Sequence, residues 1–176
     1  MPRLNTVNPA TATGRVKEIF EGPLKGKHFN IFKAMANSPA ALDVYLAMSG
    51  ALNNASLSAK EREVIQLAVG QANNCEYCVD AHTAIGTMVG LTKEQTIEAR
   101  RGSMADPKLA ALARFALAIH EKRGFVSDAD LAAFKTAGYT DAHVAEAIAT
   151  YALALYTNYF NHVNHTQSDF PSAPAI

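Results

Sequence analysis

Hydrophobic residues recur along the chain at intervals of three and four, and nearly every run is bracketed by residues that start or stop helices. Val16, Ile19 and Phe20 make one short helix, capped by Thr11 or Thr13 and stopped at Gly22-Pro23. Asn30 to Asn37 is a second short apolar segment. Ser38 then caps a helix that runs through Leu42, Tyr45, Leu46 and Leu52. Pro39 is harmless in its first position, where a backbone N–H would have no partner within the helix. Ser58-Ala59-Lys60-Glu61 has the form of a capping box and opens a helix with Val64, Ile65, Leu67, Ala68 and Ala72 facing inward. Asn73-Asn74 interrupts, and Cys75 to about Gly90 makes the next helix.

The second half repeats this punctuation. Thr92-Lys93-Glu94-Gln95 is another capping box, and its helix ends at Gly102. Asp106-Pro107 starts a helix with Leu112, Phe115, Ala116 and Ile119 on one stripe, stopping at Gly124, and Ser127 to Gly138 holds a shorter one. Thr140 caps a last long helix on which Val144, Ile148, Tyr151, Leu155, Tyr159 and His162 recur on one face. Pro171 and Pro174 make the tail from Ser168 to Ile176 an extended segment lying over the surface or a neighbouring subunit. No stretch alternates with period two beyond a few residues, so no sheet is expected. The predicted architecture is one all-α domain over residues 1–176, of about seven or eight helices, with a core at about 30–165.

Composition narrows the class. Sixteen Lys+Arg balance sixteen Asp+Glu, and this zero net charge argues against nucleic-acid binding, which needs a surplus of cations to neutralise phosphate. At 49% hydrophobic the chain can fill a core, and no apolar run approaches the ~20 residues of a membrane span. Met1 to Asn8 lacks the apolar stretch of a signal peptide, so a cytoplasmic protein without membrane attachment is expected. Charged residues make up 18%, below the ~25% usual for soluble domains, which suggests that subunits cover part of the surface as a homo-oligomer. Met35, Met48, Met88 and Met104 fit core or interface filler. His120 and His143 fall on predicted helix surfaces, where solvation is the ordinary state.

The candidate chemistry lies between Glu61 and Gly90. Both cysteines of the protein fall there, as Cys75-Glu76-Tyr77-Cys78. Positions three apart share a helix face, so the two sulfurs can meet as a small disulfide ring. Cys75 sits at or next to the helix start, where the partial positive charge favours thiolate. His82 lies four residues beyond Cys78 on the same face and can take a thiol proton or stabilise the anion. A hairpin at Asn73-Asn74 would bring Glu63 back over the site, where its carboxylate can orient the imidazole.

Other readings of these residues stand beside this one. The two cysteines can be ordinary helix residues, and Tyr77 a packing residue. Cys75, Cys78 and His82 can be three zinc ligands, although no further Cys supplies a fourth, and no metal or cofactor is expected. His162 and His165, with Asn158, Asn161 and Asn164, make a polar end to an apolar helix: a frayed terminus, a lining for the thiol pocket, or a subunit contact.

Glu63, eleven residues, Cys75-x-x-Cys78, three residues and His82 together resemble the signature of the alkylhydroperoxidase D-like branch of the carboxymuconolactone decarboxylase superfamily. Asn30 to Pro39 resembles an early helix and turn of that family. Asn158-Tyr159-Phe160-Asn161-His162 with Asp169-Phe170-Pro171 resembles its closing segment. The resemblance implies an all-helical protomer in trimers or hexamers, with a dithiol that reduces peroxides. It implies that Cys78 attacks the peroxide and becomes a sulfenic acid, that Cys75 supplies a proton and closes the disulfide, and that Glu63 and His82 relay protons. Helix position alone would instead make Cys75 the more acidic thiol. Tyr77 stands where the family has His, which departs from the full relay, and the presence of the Cys pair counts against γ-carboxymuconolactone decarboxylase activity.

The expected function is therefore a thiol-dependent peroxidase. Its partners would be a hydroperoxide substrate and an external thiol or dithiol reductant. A disulfide reductase or electron-transfer adaptor for another peroxidase is the alternative, and a non-redox lyase or metal-binding module a third.

Overall fold

The computed structural model describes residues 1–176 and contains nine α-helices and no strand. After a 3-10 turn at Pro9–Thr11 come α1 (Gly14–Glu21), α2 (Asn30–Met35), α3 (Pro39–Leu52), α4 (Ala59–Ala72) and α5 (Glu76–Met88). The remainder is α6 (Lys93–Arg101), α7 (Pro107–Glu121), α8 (Asp128–Thr136) and α9 (Asp141–Asn164). There are more helices than the seven or eight expected, because the short apolar segment after Asn30 closes hydrogen bonds as a helix of its own.

The caps form as their residue types dictate. The Ser58 N–H and O–H both donate to the Glu61 carboxylate, at 2.9 and 2.8 Å, while Ser58 Oγ accepts the Glu61 N–H. Burial opposes ionisation of Glu61, but these bonds and Lys108 hold its carboxyl below the usual range. A cap of this kind contributes about 1 kcal/mol. Thr92 and Gln95 repeat the device on α6, and Ser127 and Asp130 on α8. On α9 the reciprocal partner is His143, whose Nδ1 accepts the Thr140 N–H at 3.0 Å, so this surface histidine has a structural role.

Two apolar clusters share the interior. The larger gathers Ile65, Leu67, Leu112, Phe115 and neighbours around Phe134, which stacks at 4.3 Å on both Phe115 and Tyr139. The smaller joins Ile19, Phe20, Phe32, Met35 and Leu42 of α1, α2 and α3 to Cys75, Tyr77, Cys78 and Ala81. Each fully buried Leu, Ile or Phe contributes about 1.5–3 kcal/mol by leaving water. Helix α4 packs against α5, α6, α7 and α9, which makes it the post on which the cysteine helix is mounted. Met35 and Met104 fill the interior as expected, whereas Met88 is exposed.

One sequence expectation about an inward face is corrected. Ala72 is exposed, because α4 ends there and the chain turns away. On α9 the bulky stripe is not the inner face: Ile148, Tyr159 and His162 are exposed, and Val144, Tyr151 and Leu155 only edge the larger cluster. The inner face carries Ala147, Thr150, Ala154, Thr157, Asn158 and Asn161. Mostly small and polar side chains, with Leu153 the one large apolar exception, let α9 pack against α4 and α5. The tail, expected to lie over the surface or a neighbour, crosses the protomer's own α2, α5 and α6. Asn30 Nδ2 donates to the Gln167 carbonyl, the Ala173 N–H to Asp80 Oδ1, and Arg100 Nη1 to the Pro174 carbonyl.

Candidate active site

The turn between α4 and α5 sets the geometry. Asn73 ends α4, Asn74 takes the left-handed conformation at φ 54°, and the Cys75 N–H donates back to the Gly70 carbonyl at 2.9 Å. Asn tolerates this conformation better than other side chains. Cys75 is thereby the N-cap of α5, and the helices run back along one another. Gly70 on α4 lies opposite Cys78, and Glu63 opposite Gly86.

Cys75 and Cys78 are joined as a disulfide across the first turn of α5, with Cα atoms 5.3 Å apart. Both are almost fully buried, at 1% and 2% exposure. His82 sits one turn beyond Cys78, about 6 Å along the helix axis. Its Nδ1 lies 2.7 Å from Glu63 Oε2, and both side chains are largely buried. With Nδ1–H of His82 donating to the Glu63 carboxylate, Nε2 is the ring nitrogen left to exchange a proton. The hairpin thus unites Glu63 with His82, and Cys75 with Cys78.

Tyr77 and His162 stand apart from this chemistry. The Tyr77 hydroxyl donates to Asp169 Oδ2 at 2.9 Å, and the same oxygen accepts the Asn30 N–H at 2.7 Å. Phe170 meets the Tyr77 ring edge-on and packs on Phe29. Burial, then the Asp169 carboxylate, push the phenol far above its usual range, so Tyr77 anchors the tail and does not supply protons. His162, a possible pocket residue by sequence, faces solvent. Its neighbour Asn161 points inward instead, and its Nδ2 donates to Cys78 Sγ at 3.3 Å.

Three contacts were not assigned from sequence. They are Asn161 on Cys78, Asn158 Oδ1 accepting from Asn73 Nδ2 at 2.9 Å, and Asp169 on Tyr77. The available signal was the spacing of three between Asn158, Asn161 and Asn164, which places amides on one face of an apolar helix. Nowhere do three or more His, Cys, Asp or Glu side chains converge as a metal site, and no helix is long and apolar enough to cross a membrane. A buried dithiol beside a carboxylate-oriented imidazole is suited to reversible thiol oxidation with proton transfer.

The sequence model of the carboxymuconolactone decarboxylase family matches residues 39–121, the segment from α3 to α7 that contains both pairs. No curated protein sequence matches significantly. Among solved structures, the fold is shared with an uncharacterized peroxidase-related protein of Ralstonia eutropha JMP134, described as an alkylhydroperoxidase AhpD core. There the TM-score is 0.85 and identity 23%, over 96% of this chain and 92% of that one. A peroxidase-related protein of Silicibacter sp. TM1040 follows the same course at TM-score 0.81 and 22% identity, over 94% and 89%. The apo debrominase Bmp8 does so at TM-score 0.80 and 16% identity, over 95% and 92%. Residues 39–121 are thus similar in sequence to the carboxymuconolactone decarboxylase family, and over nearly its whole length the chain has the fold of the alkylhydroperoxidase AhpD core.

Proposed function

We propose that the protein is a thiol-dependent peroxidase. The observation that carries this is the Cys75–Cys78 pair at the start of α5 with the Glu63–His82 pair one turn away. In the reduced enzyme, His82 Nε2 takes the proton of Cys78. The thiolate attacks the outer oxygen of a hydroperoxide, the O–O bond breaks, and the departing alkoxide or hydroxide receives a proton from His82. Cys78 is then a sulfenic acid. Cys75 attacks its sulfur, forming the disulfide and releasing water. An external dithiol or two thiols restore both cysteines and leave as disulfide. Such recycling suits a compartment that keeps thiols reduced, as the cytoplasm does.

Burial of both sulfurs favours a small substrate over a protein disulfide, which ranks peroxide reduction above the adaptor role. The likeness to peroxidase-related proteins is compatible with this assignment. The test is a free-thiol count on reduced protein before and after one equivalent of cumene hydroperoxide or hydrogen peroxide. Loss of both thiols with formation of the alcohol or water is expected. Two thiols still free would reject the proposal, and fast exchange with a protein disulfide alone would select the adaptor. A brominated aromatic belongs beside the peroxides, since a debrominase shares the fold.

The outward face of α9 supports an assembly. Ala152, Leu155, Tyr156, Tyr159, Phe160 and Val163 line a shallow apolar groove, which water would leave exposed in a monomer. We assign it to contact between copies of the chain in a homotrimer or homohexamer. Light scattering at micromolar concentration should give a multiple of 18.8 kDa, and the monomer mass would contradict the assignment.

A further inference from the structure

The inner face of α9 carries three fully or nearly buried asparagines, and they are not alike. Asn164 is satisfied at both ends: Oδ1 accepts the Leu4 N–H at 2.9 Å, and Nδ2 donates to Thr166 Oγ1 at 2.9 Å. Asn158, fully buried, uses Oδ1 on Asn73, and its Nδ2 has no partner. Asn161, 4% exposed, gives its Nδ2 to Cys78 Sγ, and its Oδ1 has none. A buried amide oxygen without a donor is unfavourable, and a disulfide sulfur is a weak acceptor. Asn161 therefore gains little from its position in the oxidised protein. A thiolate is a far stronger acceptor, and a donor already aimed at it needs no reorganisation when charge forms.

We infer that Asn161 is a further catalytic residue: its amide N–H holds the Cys78 sulfur as thiolate and makes Cys78, not Cys75, the more acidic and attacking cysteine. The inference deepens the peroxidase assignment and rests on it for the word attacking. The thiolate preference stands on the contact alone. Asn158 supports it one turn earlier, tying α9 to the turn that precedes Cys75. The opposing effect is the start of α5, which favours thiolate at Cys75. Cys75, however, has no side-chain donor comparable to Asn161.

The titratable groups around the cysteines belong to five elements. Tyr77 on α5 is bonded to Asp169 of the tail, and Asp169 also holds the Asn30 N–H. Tyr156 on α9 donates to the Ala41 carbonyl at 3.0 Å. Tyr45 on α3 packs against the same cluster and is pushed upward chiefly by burial. Glu63 on α4 is engaged with His82 on α5. Of these, only His82 can bring positive charge, and it is unchanged by substitution at Asn161.

The experiment needs no peroxide. Iodoacetamide alkylation rates are measured against pH for Cys75→Ser, which leaves Cys78 as the single thiol, and for Cys78→Ser, which leaves Cys75. Each is taken with native Asn161, with Asn161→Leu and with Asn161→Ala, and circular dichroism checks the fold. In the Cys75→Ser background both Asn161 variants should raise the apparent thiol pKa by at least one unit. That is a tenfold loss of thiolate at a pH below both values. In the Cys78→Ser background they should leave it within a few tenths of a unit. An unmoved Cys78, or equal shifts for both thiols, would overturn the inference in favour of a purely structural asparagine. If the Asn161 variants do not fold, the two single-thiol proteins decide: the lower pKa at Cys78 supports the inference, and the lower at Cys75 overturns it. Loss of peroxide turnover with this acidity pattern intact would reject the peroxidase assignment alone.

Discussion

Cys78→Ser protein should consume hydroperoxide no faster than buffer does, a fall of more than about a thousandfold in kcat/KM. A serine hydroxyl in the same place keeps the shape but remains protonated at neutral pH, so no nucleophile meets the O–O bond. Cys75→Ser should separate the two halves of the cycle. Cys78 still attacks once, but no neighbouring sulfur condenses with the sulfenic acid, because the native partner is the other member of a two-cysteine chain. Mass spectrometry should find one added oxygen on Cys78, and steady-state turnover with a dithiol donor should collapse. Sulfenic acid on Cys75 in the Cys78→Ser protein, with turnover retained, would reverse the assignment.

The next largest effect is expected at His82. His82→Ala removes the one imidazole within a helical turn of Cys78, and general acid–base contributions of this kind amount to about 10²–10⁴-fold. Glu63→Gln tests the orientation separately. With Gln the side-chain amide can donate to Nδ1, which moves the ring proton to Nε2 and leaves no base toward the cysteines. A fall of roughly 10- to 100-fold in kcat/KM is expected, with KM little changed. Peroxide consumption measured across pH checks both variants. A Glu63→Gln enzyme as fast as the parent would show that the 2.7 Å contact between His82 and Glu63 is only structural.

The positions of these four residues were legible in the chain because each depends on local geometry. Cys75 and Cys78 share a face by spacing, and His82 follows by one turn. Asn73-Asn74 announces the reversal that brings Glu63 alongside, and the left-handed Asn74 is the residue that makes it. Capping boxes at Ser58 and Thr92 located their helices to within a residue. The third box, Ser127 to Asp130, was less visible because Asp replaces the usual Glu or Gln.

The surroundings of the thiols were not legible in the same way. Periodicity on α9 marked Ile148, Tyr159 and His162 as a shared face, and they do share one, but it is the outer face. A helix that is apolar on two sides does not reveal which side its neighbours will take. For the same reason periodicity does not distinguish His162 from Asn161 as the residue that faces the thiols. Asp169 gave no sign of its bond to Tyr77, since the tail that carries it has no periodicity.

Sequence alone determined the helical punctuation in outline, short of α2 as a helix of its own, together with the absence of strands and the grouping of Glu63, Cys75, Cys78 and His82 on one hairpin. Tertiary structure decided the rest: which face of α9 turns inward, that its amide reaches Cys78 from 83 residues away, and that the tail pins Tyr77 from 92 residues away. The physical reason is range. Caps, turns and helix faces are set by contacts within four residues, whereas the choice between two apolar faces depends on how closely α4 and α5 can be approached, and small side chains on one side of α9 permit that approach.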